Sequence, residues 1–398
     1  MPEWPNGAVS TSRKIEHHIE NDMKIVVAPD SFKECLSAAD VAEAISAGLA
    51  KVIPHAEIIK LPIADGGEGT TEALVNATGG EFFFAKVRGP LGHKHGARWG
   101  ILGNQHTAVI EVAAACGLDS LPIEQRNPLL TTSYGVGELI IEALNSGARK
   151  IILGLGGSAS NDGGAGLMQA LGVKFLDASG IDVAPGGGNL QFIQNIDIRS
   201  LDPRLANVQF EVACDVTNPL IGKEGASAVF GPQKGADREM VKRLDRNLTH
   251  LANKIKHTIH RDISNIKRSG AAGGIGGAMI AFLNSELKSG IEIVLDSLDI
   301  DRHLSNADMV ITGEGRFDKQ SLKGKAPIGI VKRAAQYDCD VYILAGSVGK
   351  DVLEPESLGI KEIINISPIN VALDIALEFA YENLVNASSK LAKNSINN

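Results

Sequence analysis

The sequence predicts an α/β protein made of two dissimilar α/β domains, one a parallel sheet formed by both chain ends and the other inserted into it. Three observations carry this expectation. Short runs rich in Val and Ile alternate with stretches of helical periodicity at β-α-β spacing, which favours parallel strands with covered faces. The alternation is regular toward both ends and irregular between roughly residues 88 and 300. The 44 glycines in 398 residues exceed average usage, and they cluster in short groups after apolar runs.

The elements follow in order. Residues 1–22 are polar and lack the apolar stretch of a signal peptide, so they are expected to be an N-terminal extension outside the fold. "KIVVAPDSFK" reads as a buried strand stopped by Pro29 and Asp30. Ser37 then caps a helix in which Val41, Ile45, Leu49 and Val52 recur at helical spacing, with Asp40 three residues past the cap. "EIIKLPIADGGEGT" is the next strand and loop. Further on, "TTSYGVGELIIEALNSGARKIILGLGG" reads as a capped helix stopped at Gly147, then a strand entering a glycine-rich loop. "VQFEVACDVTNPL" is a strand and turn, "GAAGGIGGAM" a glycine-rich entry to a helix, and "ADMVITGEGRFD" a strand and charged loop. "APIGIVKRAAQ", "DVYILAGSVG" and "EIINISPI" close the chain as helix, strand and strand. The expected boundaries are 23–88 with 305–398 for the discontinuous domain and 89–304 for the insert.

Composition narrows the function classes. Lys and Arg number 39 against 47 Asp and Glu, a formal charge of -8, which argues against nucleic acid as the main partner. No apolar run reaches membrane-spanning length. Cys35, Cys116, Cys214 and Cys339 form no C-x-x-C pair, so neither a zinc site nor a disulfide framework is expected, and a reducing cytoplasm suits the chain. Cys214 ends an apolar strand with no adjacent His and reads as a buried thiol rather than a nucleophile. His93 and His95 in "GHKHG" lack a third ligand and read as a solvated loop or hairpin. Small molecules are the expected partners; a homo-oligomer stays open.

In open parallel sheets ligands sit outside the carboxyl ends of the strands. Several such ends deliver acids: Asp30, Asp65 and Glu68, Asp215, and Glu314 with Asp318. Others deliver cations: Lys33, Lys234, Arg316 and Lys325. Acids, cations and glycine loops together suit a magnesium–nucleotide site. "GLGGSASNDGGAG" admits a second reading, because Gly154, Gly156 and Ala159 satisfy G-x-G-x-x-A and Asp177 stands where a dinucleotide site places its ribose-binding acid. The continuation "SASND" adds a hydroxyl, an amide and a carboxylate that a pyrophosphate cradle does not require.

"KIVVAPDSFKECLSA", "PIADGGEGT", "GGSASNDGGAG", "ALGVKFLDASG", "ACDVTNPLIGKEGASAVFGPQKGA", "GAAGGIGGA" and "ADMVITGEGRFDKQSLKGKAP" occur in the order and spacing of the type-1, bacterial glycerate kinases. The sequence from Met23 to the last helix resembles that family. Cys35, Ser160 and Ser227 replace residues more usual there, and none removes an acid or a cation. The resemblance implies a flavodoxin-like domain built from both chain ends, an inserted α/β domain, and phosphorylation of D-glycerate by ATP with Mg²⁺. The implied product is 2-phosphoglycerate; 3-phosphoglycerate and, from the glycine spacing, an NAD-dependent hydroxy-acid dehydrogenase are the alternatives. With that reaction in view, Gly156, Gly157, Ser158 and Asn161 are expected to cradle ATP phosphates, and Asp215 to act through the metal. Asp162 is expected to accept the hydroxyl proton, Lys234 to stabilise the transferred phosphoryl group, and Arg316, then Lys33, to take the glycerate carboxylate. Asp65, Glu68 and Glu314 are expected to line the substrate site.

Overall fold

A computed structural model describes residues 23–397 except 65, 68, 338, 351, 353, 354, 369 and 370. The extension expected over 1–22 and the site candidates Asp65 and Glu68 therefore lie outside the described residues. In chain order the strands are β1 (Lys24–Val27), β2 (Glu57–Lys60), β3 (Glu81–Arg88), β4 (Lys94–Ile101), β5 (Thr107–Glu111), β6 (Lys150–Gly154) and β7 (Lys174–Leu176). They continue with β8 (Asn195–Asp197), β9 (Gln209–Ala213), β10 (Glu286–Lys288), β11 (Met309–Phe317), β12 (Asp340–Val348) and β13 (Glu362–Asn365).

The chain divides into two compact units, one ending at Ile63 and resuming at Leu295, the other spanning Ala64–Val294. The junctions differ from those expected at 88/89 and 304/305. The reason is that the helix Thr70–Thr78 and the hairpin β3–β4 pack with β5 of the second unit.

The first unit holds a five-stranded sheet in the order β13-β12-β11-β1-β2, parallel throughout. Counted within the unit this order is 2-1-3-4-5, a doubly wound arrangement that switches direction between β1 and β11. The helix Ala38–Ala50 begins as its sequence directs: the Ser37 side chain accepts from the Asp40 amide while Asp40 answers to the Ser37 backbone. Its Val41, Ile45 and Leu49 are fully buried, each worth about 1.5–3 kcal/mol of removed apolar surface.

The second unit holds a six-stranded sheet in the order β10-β9-β6-β5-β4-β3. β5, β6, β9 and β10 are mutually parallel, and β4 and β3 extend them as an antiparallel hairpin. His93 lies in the turn of that hairpin and His95 on β4, where its ring pairs with the Ala114 carbonyl, in agreement with a hairpin rather than a metal pair. β7 and β8 form a separate antiparallel ribbon. Asp177 follows β7 and binds the amides of Ser179 and Ile181 with its own carboxylate, closing a turn. A ribose-binding acid of a dinucleotide fold would instead end the neighbouring strand of the main sheet.

Candidate active site

The opening of the glycine loop is set by β6, whose residues from Ile151 to Gly154 are buried. Across residues 154–166 only Gly156 and Gly157 are exposed; the rest is interior. The turn is pinned on one side, where Leu118 donates to the Gly157 carbonyl (2.7 Å) and Ala159 to the Cys116 carbonyl (2.8 Å). On the other side the amide of Gly163 donates to the carbonyl of Gly273 (2.9 Å), at the irregular left-handed entry of the helix Ala271–Leu283. A loop held at both ends presents its two exposed glycines without further ordering cost.

Asp162 anchors that loop from inside. Its carboxylate accepts from the Ser133 amide (2.8 Å), the Gly164 amide (3.1 Å), the Gly166 amide (3.3 Å) and the Thr132 hydroxyl (3.3 Å). The Ser133 hydroxyl lies 2.9 and 3.0 Å from its two oxygens and accepts in turn from the Leu167 amide (3.0 Å). A side chain on Gly166 would collide with the Thr132 hydroxyl and press on the carboxylate, which explains the glycine there. Burial pushes the Asp162 carboxyl up from its usual range, against the pull of the Ser133, Gly164 and Gly166 bonds. Asp162, expected to accept a proton, is thus found fully buried with both carboxylate oxygens engaged by the loop and by Ser133, in a geometry that holds the loop.

Lys234 supports the same loop. Only 3% exposed, it donates from Nζ to the Ser158 hydroxyl (2.8 Å) and the Ser160 carbonyl (2.6 Å). Burial pushes its ammonium down to about 8, with Cys116 and Asp162 pulling weakly the other way. Lys234, expected at the transferred phosphoryl group, has its Nζ engaged by the loop itself and braces the turn. Ser158 and Asn161 are likewise buried, so their side chains brace the loop instead of lining an open cradle. Asn161 donates to the Ser227 hydroxyl (3.0 Å), and its own Oδ1 is buried without a partner among the described residues. Cys214 is buried as expected, its thiol pushed up to about 11 by desolvation.

Neighbouring strand ends complete the edge. Asp215, exposed just after β9, accepts at Oδ1 from the Ser289 hydroxyl (2.9 Å) and the Gly290 amide (3.1 Å), which opens the helix Gly290–Ser297. Gly66 passes so close to Gly290 that any side chain on it would strike the Gly290 backbone, and it also runs beside Ala213 and Gly154. Gly66 thus lies at the carboxyl ends of β6, β9 and β10. Beside it the exposed glycine turn borders a cavity of about 430 Å³.

The first unit carries its own cluster at the switch between β1 and β11. The Asp30 amide donates to the Gly313 carbonyl (2.9 Å), and the Thr312 hydroxyl to the Ala28 carbonyl (2.7 Å). Glu314 is 5% exposed with the Lys325 ammonium 3.8 Å away. Arg316 is exposed, its Nε 3.0 Å from Asp318, and the backbone of Lys33 lies against Gly315 between them. Lys33, Glu314 and Arg316 are thus neighbours at one strand end. Sequence reasoning missed Ser133 and Thr132, which hold Asp162. The string "TTS" before a helix announces a cap, and the hydroxyl of Ser133 makes no cap bond because Asp162 claims it.

The chain matches the model of the glycerate kinase family over residues 25–395. It is 52% identical to the glycerate 2-kinase of Escherichia coli K12 over 370 residues, 93% of this chain and 97% of that one. It is 49% identical to the glycerate kinase of Bacillus subtilis 168 over 377 residues, 93% and 99% of the two chains. A crystal structure assigned as a glycerate kinase 2 of Salmonella typhimurium LT2 superimposes with a TM-score of 0.88 at 50% identity, covering 94% of this chain and 98% of that one. With α/β architecture, glycine turn and strand-end acids all in place, the chain belongs to the glycerate kinase family.

Proposed function

We propose that this enzyme phosphorylates D-glycerate at C2 with ATP and Mg²⁺, giving 2-phosphoglycerate. The observation that carries the reading is the rigid glycine turn: two exposed glycines on a loop locked by Asp162 and Lys234, at the carboxyl edge of a parallel sheet. Phosphoryl transfer asks mainly for positioning and charge neutralisation, which such a turn and its neighbouring groups supply. Gly156 and Gly157 carry the exposed part of the nucleotide contact, while Ser158 and Asn161 hold them in place. In the first unit Arg316, with a planar fork, and Lys33, with a point charge, are assigned to the substrate carboxylate. Lys325 holds Glu314 beside them.

Asp215 fits Mg²⁺: it is a hard oxygen donor whose carboxylate is oriented by Ser289 and Gly290. Among the described residues no group of three or more His, Cys, Asp or Glu is placed to hold a metal, which suits an ion that takes most of its ligands from phosphate and water. When bound, the ion would neutralise phosphate charge. No described helix is long and apolar enough to cross a membrane, and the described cysteines are free, in keeping with a cytoplasmic enzyme.

The test is a coupled ADP-release assay followed by phosphorus NMR of the product. ADP release that requires both D-glycerate and Mg²⁺, with phosphorus on C2, is expected. A C3 product would replace the regiochemistry, and NADH formation without ADP would replace the reaction.

A further inference from the structure

The cavity of about 430 Å³ beside the glycine turn is lined within the second unit by Gly156 and Gly157, by Ala114 and Leu118, and by Thr71 with the acids Glu72, Glu111 and Asp119. Three features of it point to one class of ligand. Its lining carries three acids against one cation: Arg98 on the same wall is paired with Glu72 at 2.8 Å and lies over the Phe82 ring, and Asp119 has Arg126 3.8 Å away, outside the lining. Its size suits a ligand much larger than a three-carbon acid, since pockets of about 300–1,000 Å³ bind molecules of drug size. Finally, Thr71 is 4% exposed, and its hydroxyl has no hydrogen-bond partner among the described residues. Its amide, by contrast, is held by Glu111 at 2.8 Å. A buried hydroxyl left unpaired costs about 1–3 kcal/mol unless a ligand completes it.

We propose that this cavity binds the nucleoside end of the phosphoryl donor, with Thr71 as a specificity-determining contact; the inference rests on the kinase reading above. The acids repel the anionic acceptor and the triphosphate tail, so the neutral sugar and base are the part of the two substrates that the cavity admits. Carboxylates accept hydrogen bonds from sugar hydroxyls and from an exocyclic amine. Ala114 and Leu118 offer apolar surface to the base. The amides of Gly156 and Gly157 have no acceptor among the described residues and supply donors for the phosphate that follows the sugar.

The experiment compares wild-type protein with Ala114→Phe, Thr71→Val and Thr71→Ser. Binding of adenosine is followed by calorimetry, binding of a fluorescent ADP analogue by its emission, and KM is measured for ATP and D-glycerate. Filling the cavity in Ala114→Phe is expected to weaken adenosine and ADP-analogue binding by about tenfold or more, with the KM for glycerate within about twofold. Thr71→Val is expected to weaken the nucleoside by about threefold to tenfold and Thr71→Ser to restore it, so a misfolded Ala114→Phe leaves the question open to the second site. Unchanged nucleoside affinity in folded variants, or a rise in the KM for glycerate alone, overturns the proposal. If adenosine binding is lost in Ala114→Phe while wild-type protein transfers no phosphate to glycerate, the cavity stands and the kinase reading falls.

Discussion

The amide and the hydroxyl of Ser133 both bind the carboxylate of Asp162, at 2.8 Å and 2.9 Å, so one residue at a helix start holds another in the glycine loop twice. The pair ties the start of the helix Tyr134–Asn145 to the loop after β6. The exposed turn at Gly156 and Gly157 is therefore fixed from behind, through backbone and buried side chains.

Asp162→Asn replaces one carboxylate oxygen that accepts from several donors with an amide nitrogen that can only donate. A cost of about 2–4 kcal/mol in stability is expected, read as a lower urea midpoint. Turnover should fall with it, and nucleotide affinity should weaken. A variant of wild-type stability and affinity that has lost only kcat would restore Asp162 as a proton acceptor and end the positioning role.

Lys234 gives a pH signature. Its ammonium titrates near 8 in the folded chain and near 10.5 when exposed. Between those values the unfolded chain holds a proton that the folded chain has shed, so the Lys234 contribution to stability rises as pH rises from about 8 to 10.5. Below 8 the cost of burying the charge is borne in full. The neutral amine still donates to Ser158 and Ser160. Urea midpoints of wild-type and Lys234→Met protein, taken at intervals from pH 7 to 10, should diverge in favour of wild type above pH 8. A constant difference would show that the ammonium titrates normally.

Arg316 separates binding from stability. Its side chain is 74% exposed and paired only with Asp318 among the ion pairs of the described residues, a contact worth about 0–1 kcal/mol at most. Arg316→Ala should leave the melting temperature nearly unchanged while raising the KM for D-glycerate by about tenfold to a hundredfold. Arg316→Lys should recover only part, because the planar fork is lost. Kinetics at wild-type KM would remove Arg316 from the substrate contact.

Much of the framework was legible because it depends on local chemistry. The Ser37–Asp40 capping box, the stop at Gly147 and the apolar face of Val41, Ile45 and Leu49 each follow from residues a few positions apart. The candidate site was legible as a set of strand ends and less so as a set of roles. An acid in a glycine loop reads the same whether it faces solvent or the interior, and Asp162 faces inward because Ser133, 29 residues earlier, supplies its donors. Lys234 is turned inward by Ser158, 76 residues away. Thr71 and Ala114 come together around one cavity from separate elements, with no shared motif to announce it.

The strand orders of the two units set different clocks for synthesis. In the second unit each main-sheet strand adds beside the one made before it, so the sheet can grow as the chain emerges. In the first unit β1 pairs with β11, and Lys24 binds Asp308 across 284 residues. At about 5–20 residues per second, roughly 15 seconds to a minute passes before that partner is made. Through that interval β1 and β2 have a finished edge with nothing to pair, and the newborn chain must be kept from pairing it with another copy.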